Sequence, residues 1–148
     1  MSIEAFSSLD AQEVEQLLEA PAVVTLLIAG SDEKVDKKEK DWASKLVNYR
    51  SVTAEVELQP YYEALGDRFE SDLTSLMDGW QVGDLETLRD KLSALSPILE
   101  KLEGEFVLKL KQSWRTLAEQ VAKASGGIIG FGSVSPEERE VIDLSMLD

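Results

Sequence analysis

The chain lacks cysteine and histidine altogether, and these two absences exclude more chemistry than any motif adds. Zinc and copper sites normally use thiolate or imidazole ligands, so oxygen-ligand cations such as Ca²⁺ or Mg²⁺ are the metals that fit this sequence. Nucleophilic systems that pair serine or cysteine with histidine are excluded for the same reason.

Basic residues are scarce. The 148 residues include 29 acidic and 15 basic side chains, which gives a net charge of -14. A field of this sign repels phosphate backbones and anionic lipid surfaces, so we expect no nucleic-acid partner. Cations and basic protein surfaces are the partners that the charge favours.

Long apolar runs are missing as well. The longest run, Ala20 to Gly30, is about half the length of a membrane span and contains Pro21 and Thr25. The N-terminus carries acids and no apolar segment of signal-peptide length. We therefore expect no transmembrane segment and one cytoplasmic domain over residues 1–148, long enough to bury a substantial core.

The spacing of the apolar residues predicts an all-α bundle of about seven helices. Ser8 or Asp10 can cap a first helix that extends to Leu18, and Asp10 and Glu13 stand at capping-box spacing. Pro21 suits the first turn of a second helix, because its missing N–H would be unpaired there anyway. For the run Ala22 to Ala29 a buried strand is the alternative, since so short a run shows no clear period.

The third predicted helix follows a second capping box, formed by Asp36 and Glu39, and extends to about Tyr49. Trp42, Leu46 and Tyr49 share one of its faces. Packing in the core explains the three tryptophans, Trp42, Trp80 and Trp114, better than ligand stacking does. The other predicted helices run from Pro60 to Trp80, from Leu85 to Leu95, from Ser96 to Val121 with Gly104 inside, and onward from the cap Ser135.

The succession of a buried aliphatic helix, an acidic turn, a capping box and an amphipathic helix resembles the TerB-like domain, a bacterial all-α fold. The residues that carry this resemblance are Ser31, Asp32, Glu33, Val35, Asp36 and Glu39, and Gly132 to Glu138 are similar to the second half of the family pattern. The chain departs from that pattern at Glu33, where the family usually has glycine, and in the second turn, which has no acid before its valine. The resemblance implies a context of bacterial stress or tellurite resistance.

The acidic turn is the first candidate site. Asp32, Glu33, Asp36 and Glu39 can converge as oxygen ligands of Ca²⁺ or Mg²⁺, although the sequence has no EF-hand pattern. The alternative is that Asp36 and Glu39 cap the helix while the other two acids are solvated. Acids at a helix N-terminus stabilise it by about 0.3–1 kcal/mol each without any metal.

The glycine-rich stretch SGGIIGFG is the second candidate site. Ile128, Ile129 and Phe131 can present an apolar patch to a protein partner or a membrane surface. The alternative is that these three side chains fold back over one end of the bundle. A phosphate-binding loop is not indicated, because no Lys-Ser/Thr pair follows the glycines and no strand precedes them.

No catalytic constellation can be assembled from the sequence, and we expect a non-enzymatic binding or scaffold protein, with a divalent cation as its one conceivable cofactor. Two alternatives stay open. The first is an enzyme that uses paired carboxylates, for example Glu100, Glu103 or Glu105 with Asp67 or Glu70. The second is a structural homodimer formed through the Leu85 to Leu95 helix or the Phe131 loop.

Titration calorimetry tests the acidic turn. If Asp32, Glu33, Asp36 and Glu39 form a cation site, metal-stripped protein binds Ca²⁺ or Mg²⁺ saturably. Asp36→Asn then weakens binding, because asparagine retains the helix cap but removes a charge. The absence of heat with either ion would assign the four acids to capping and surface charge.

Overall fold

The described part of the chain is residues 4–29, 37–66, 68–78 and 85–125 of a computed structural model, and its secondary structure is helical with no strand. This confirms the all-α class. Six helices of eight residues or more are joined by a one-turn helix and two 3-10 turns. The helices are α1 (Ala11–Ala29), α2 (Lys37–Thr53), α3 (Gln59–Gly66), α4 (Phe69–Met77), α5 (Leu85–Ser93), α6 (Ser96–Leu99) and α7 (Gly104–Ser125), with the 3-10 turns at Glu4–Phe6 and Val56–Leu58.

Helix α1 is the centre of the bundle. It packs against α4, α5 and α7 and also contacts α3. Every side chain from Ala20 to Ile28 is buried, and the one polar side chain among them, Thr25, donates its hydroxyl to the Pro21 carbonyl at 2.8 Å. Burial on all sides explains why this run shows no polar alternation. Within the described residues, no helix is both long enough and apolar enough to cross a membrane.

The start of α1 is the capping box that the sequence predicts. The Glu13 N–H donates to the Asp10 carboxylate at 2.8 Å, and the Asp10 N–H donates to the Glu13 carboxylate at 3.0 Å. The second oxygen of Glu13 accepts a hydrogen bond from Lys101. The first helix therefore begins where the local sequence signal places it.

The prediction of separate helices before and after Pro21 is wrong, because α1 continues through the proline. Proline has no N–H, so the carbonyl of Leu17, four residues earlier, loses its helical hydrogen bond. The Tyr61 hydroxyl donates to that carbonyl at 2.6 Å, and Trp114 Nε1 donates to the Tyr61 hydroxyl at 3.1 Å. Side chains of α3 and α7 thus satisfy the backbone of α1 at the position where the sequence alone predicts a break.

The helix predicted from Pro60 to Trp80 is divided into α3 and α4. Pro60 does lie in the first turn of α3, as the sequence predicts, but α3 ends at Gly66. Arg68 has non-helical backbone angles, and α4 begins at Phe69. The apolar spacing continues across the break, so periodicity alone does not reveal it.

The helix predicted to start at Ser96 is also divided. Only the turn α6 forms there, and Glu103 starts a new helix because its carboxylate accepts the N–H groups of Glu105 at 3.1 Å and Phe106 at 3.0 Å. Gly104 is consequently the first residue of α7 and not an interior glycine. The helix predicted from Ser135 lies outside the described residues.

Tyr61→Phe tests the repair of α1. Loss of the hydroxyl leaves the Leu17 carbonyl and the Trp114 N–H buried without partners, so the free energy of unfolding should fall by about 1–3 kcal/mol. Pro21→Ala supplies the backbone N–H that the Leu17 carbonyl lacks, so Tyr61→Phe should cost less in that background. Chemical denaturation of the wild type, both single variants and the double variant measures this coupling. Equal losses in the two backgrounds would contradict the repair.

Candidate functional site

Helix α2 presents a different face to the core from the one that its aromatic residues suggest. Trp42 and Tyr49 do share a face, but Trp42 is 39% exposed and Tyr49 is 64% exposed. The buried residues are instead Ala43, Val47 and Arg50, which follow Trp42, Leu46 and Tyr49 by one position. The core-packing prediction for Trp42 is therefore wrong, because the smaller Ala43 and Val47 allow α2 to lie close to its neighbour α3.

The same core-packing prediction for Trp114 is confirmed, since this side chain is fully buried. Trp80 lies outside the described residues.

Arg50 is the one charged side chain that is buried within the described residues, and it is only 9% exposed. Its Nη1 donates to the backbone carbonyl and the hydroxyl of Ser113, both at 2.9 Å, and to the Tyr62 hydroxyl at 3.3 Å. Its Nη2 donates to the Gln120 side-chain oxygen at 2.5 Å. The guanidinium also lies 5.5 Å from the centroid of the Tyr62 ring, which is within cation–π range.

These partners are all neutral. Within the described residues, no carboxylate forms a salt bridge with Arg50, and no acceptor is hydrogen-bonded to its Nε. Arginine stays protonated in proteins, and a buried charge is costly unless an opposite charge compensates it. The hydrogen bonds satisfy several donors, but the positive charge itself remains uncompensated.

Arg68 shows how this chain normally treats a partly buried arginine. Its guanidinium binds the Glu15 carboxylate through two hydrogen bonds of 2.5 and 2.8 Å, and the Asp72 carboxylate through two of 2.7 and 3.1 Å. Those contacts join α4 to α1. Arg50, by contrast, has no carboxylate partner in the part of the chain that the structure describes.

Arg50 lines an open groove between α2 and α7, with a volume of about 480 Å³. The segment around the Val56–Leu58 turn also contributes to its lining. Two side chains on its rim are apolar and exposed: Tyr49 on α2 and Leu108 on α7, the latter 70% exposed. The remaining lining residues are Leu46, Thr53, Ala54, Glu55, Leu58, Lys109, Gln112, Ser113, Thr116 and Gln120.

The other cation in the groove is already paired. Lys109 forms ion pairs with Glu57 and, at 3.3 Å, with Glu55, and lies 3.9 Å from Glu105. The hydrogen bond from Lys109 lowers the pKa of Glu57 below its usual value, and the same pairing raises the pKa of Lys109. Of the two cations that line the groove, Arg50 is thus the one without an acid partner within the described ranges.

The groups around Arg50 are hydrogen-bond donors and acceptors. The groups around Arg50 are hydroxyls, an amide and a backbone carbonyl, and the chain has no histidine to serve as a base for Ser113. Of the acids considered for carboxylate catalysis, Glu103 caps α7 and Glu105 lies near Lys109, whereas Asp67 lies outside the described residues. A guanidinium with unused donors is, by contrast, well suited to hold a carboxylate.

The sequence-predicted sites fall in other parts of the chain. Asp32, Glu33 and Asp36 lie outside the described residues, and only the backbone of Glu39, in the first turn of α2, is described. Ile128, Ile129 and Phe131 also lie outside them. The described residues contain no group of three or more acids that could hold a metal ion. The acidic turn and the apolar patch both stay predictions.

Sequence reasoning missed Arg50, although a signal is present. Ala43, Val47 and Arg50 have the four- and three-residue spacing of a single helix face, so burial of the first two implies burial of the third. The aromatic residues one position earlier gave a stronger apolar signal and obscured this face. The identity of the neutral partners, which come from α3 and α7, could not be read from local spacing.

Comparison with known proteins finds no matching protein-family model, no matching curated protein and no matching solved structure. The TerB-like resemblance accordingly stays a prediction.

The ion pair at the groove predicts a pH dependence of stability. Because the pKa of Glu57 is lowered from 4.5, its contribution is present above pH 4.5 and is lost as the pH falls through the lowered pKa. The pKa of Lys109 is raised from 10.5, so its contribution is present below pH 10.5 and is lost as the pH rises through the raised pKa.

Thermal unfolding over a pH series measures the loss of stability on the acid side and on the alkaline side. Lys109→Gln should make the loss of stability on the acid side shallower, because Glu57 then no longer has a lowered pKa. Lys45→Gln is the matched control, since Lys45 is exposed and forms no ion pair with the described residues. If the wild type and Lys109→Gln lost stability identically as the pH falls, the pair would contribute nothing to stability.

Proposed function

We propose that this chain is a non-enzymatic binding module, and that the groove between α2 and α7 receives an extended or helical segment of a protein partner. The observation that carries the proposal is the buried Arg50, which has no carboxylate partner among the described residues and lines an open groove with an apolar rim. The volume of the groove lies within the range of about 300–1,000 Å³ that is usual for ligand sites.

The rim supports a protein partner over a small polar ligand. Tyr49 and Leu108 stand on opposite sides of the groove, and both side chains are largely exposed. Each can therefore bury apolar area against a partner. Aromatic residues and arginine are the types most enriched where protein interfaces bind tightly. A segment with apolar side chains for the rim and an acidic group for Arg50 would complement both features.

The proposed context comes from the sequence. The resemblance of Ser31 to Glu39 to TerB-like domains supports a scaffold or binding role in bacterial stress or tellurite resistance. The acids of that turn support a version in which Ca²⁺ or Mg²⁺ is linked to the function. The calorimetric titration given above tests the cation link independently of the groove.

Selection from a phage-displayed library of random short peptides tests the groove. Leu108→Glu should weaken the binding of the selected peptides by about tenfold, or ~1.4 kcal/mol, relative to the wild type, because the substitution places a charge on the apolar rim. Fluorescence anisotropy with a labelled selected peptide gives the affinities. Val52→Glu is the matched control: Val52 is 71% exposed, against 70% for Leu108, but does not line the groove, and both variants change the net charge equally.

Two outcomes would overturn the proposal. One is that no peptide is enriched, or that Leu108→Glu and Val52→Glu bind equally well. The other is that sedimentation shows a concentration-dependent dimer which Leu108→Glu abolishes, because the occupant of the groove would then be a second copy of the chain.

A further inference from the structure

We infer that the ligand group held by Arg50 is a single carboxylate, supplied by an acidic side chain or a chain terminus of the partner. This inference rests on the proposed binding role of the groove and adds to it the chemistry of the anchor. It depends on which guanidinium donors are used, on the charges nearby and on the contrast with Arg68.

The unused donors of Arg50 fit a planar anion. A guanidinium has five N–H groups, and Nε–H together with one Nη2–H forms an edge that matches the two oxygens of a carboxylate. Nη1 is engaged by Ser113 and Tyr62, and Nη2, which carries two hydrogens, makes one bond to Gln120. Nε has no acceptor among the described residues, so donors of that edge remain available. Arg68 uses the same edge, with Nε and Nη2 bound to Asp72.

The surrounding charge favours one negative charge over two. The other cation that lines the groove, Lys109, is paired with Glu57 and Glu55, whereas Arg50 has no acid partner among the residues that the structure describes. A net charge of -14 on the whole chain opposes a phosphate dianion more strongly than a carboxylate. Burial of Arg50 strengthens a direct pair with a carboxylate relative to one in water.

Titration followed by NMR tests the anchor with phenylacetate, which combines a carboxylate for Arg50 with an apolar ring for the rim of the groove. Phenylacetamide is the matched probe, since it has the same shape and no charge. The Arg50 Nε–H resonance should shift saturably with phenylacetate and not with phenylacetamide. Arg50→Lys, which keeps the charge but removes the planar fork, should weaken phenylacetate binding by about tenfold or more.

A second variant keeps the test independent of any folding defect in Arg50→Lys. Gln120→Glu places a carboxylate where an oxygen already lies 2.5 Å from Nη2, so the chain itself should supply the missing charge. We expect a higher melting temperature and loss of phenylacetate binding in this variant. Ser113→Ala removes one neutral acceptor and leaves the charge, so it should lower the melting temperature and retain phenylacetate binding.

Several results would overturn the inference. They are equal shifts with phenylacetamide, tighter binding of inorganic phosphate than of phenylacetate, or unchanged phenylacetate binding in Gln120→Glu. The proposed function fails separately. If selected peptides bind the groove but tolerate replacement of each acid by its amide, the binding module stands and the carboxylate anchor fails. If phenylacetate binds Arg50 but no peptide does, the anchor stands and the protein-binding module fails.

Discussion

The fold depends on how the proline in the central helix is accommodated. Pro21 removes the N–H that would pair with the Leu17 carbonyl, in a segment buried too deeply for water to take its place. The Tyr61 hydroxyl supplies that hydrogen bond, and Trp114 in turn donates to Tyr61. Because these residues belong to α1, α3 and α7, one backbone requirement fixes the positions of three helices relative to one another.

That positioning also creates the groove. Tyr62 and Ser113 are the chain neighbours of Tyr61 and Trp114, and their hydroxyls lie within hydrogen-bond distance of each other and of Arg50. Consecutive residues of α3 and α7 therefore make both the contact that completes α1 and the contact that holds the arginine. A change that shifts this interface should affect stability and binding together, whereas Gln120, on the far side of the guanidinium, can be changed with less effect on the core.

Electrostatics distinguishes the groove from the rest of the surface. Acids outnumber bases almost two to one, and the ion pairs of Arg68, Lys101 and Lys109 use that excess to join elements of the bundle. Arg50 has no such partner within the described part of the chain. Replacing a buried charge by an apolar residue is often neutral or stabilising, so stability by itself does not explain an arginine at this position. The proposed role in binding accounts for it.

The sequence by itself determined the all-α class, the capping box of Asp10 and Glu13, the place of Pro60 in the first turn of α3 and the burial of Trp114, because caps and apolar spacing act within a few residues. Tertiary structure decided the continuity of α1 through Pro21, the break after Gly66, the start of α7 at Gly104 and the inward face of α2. Each of those depends on a contact or a packing fit with residues distant in the chain. The groove belongs to the second group. Arg50 is a candidate site because the side chains around it are neutral, and those side chains come from other helices of the fold.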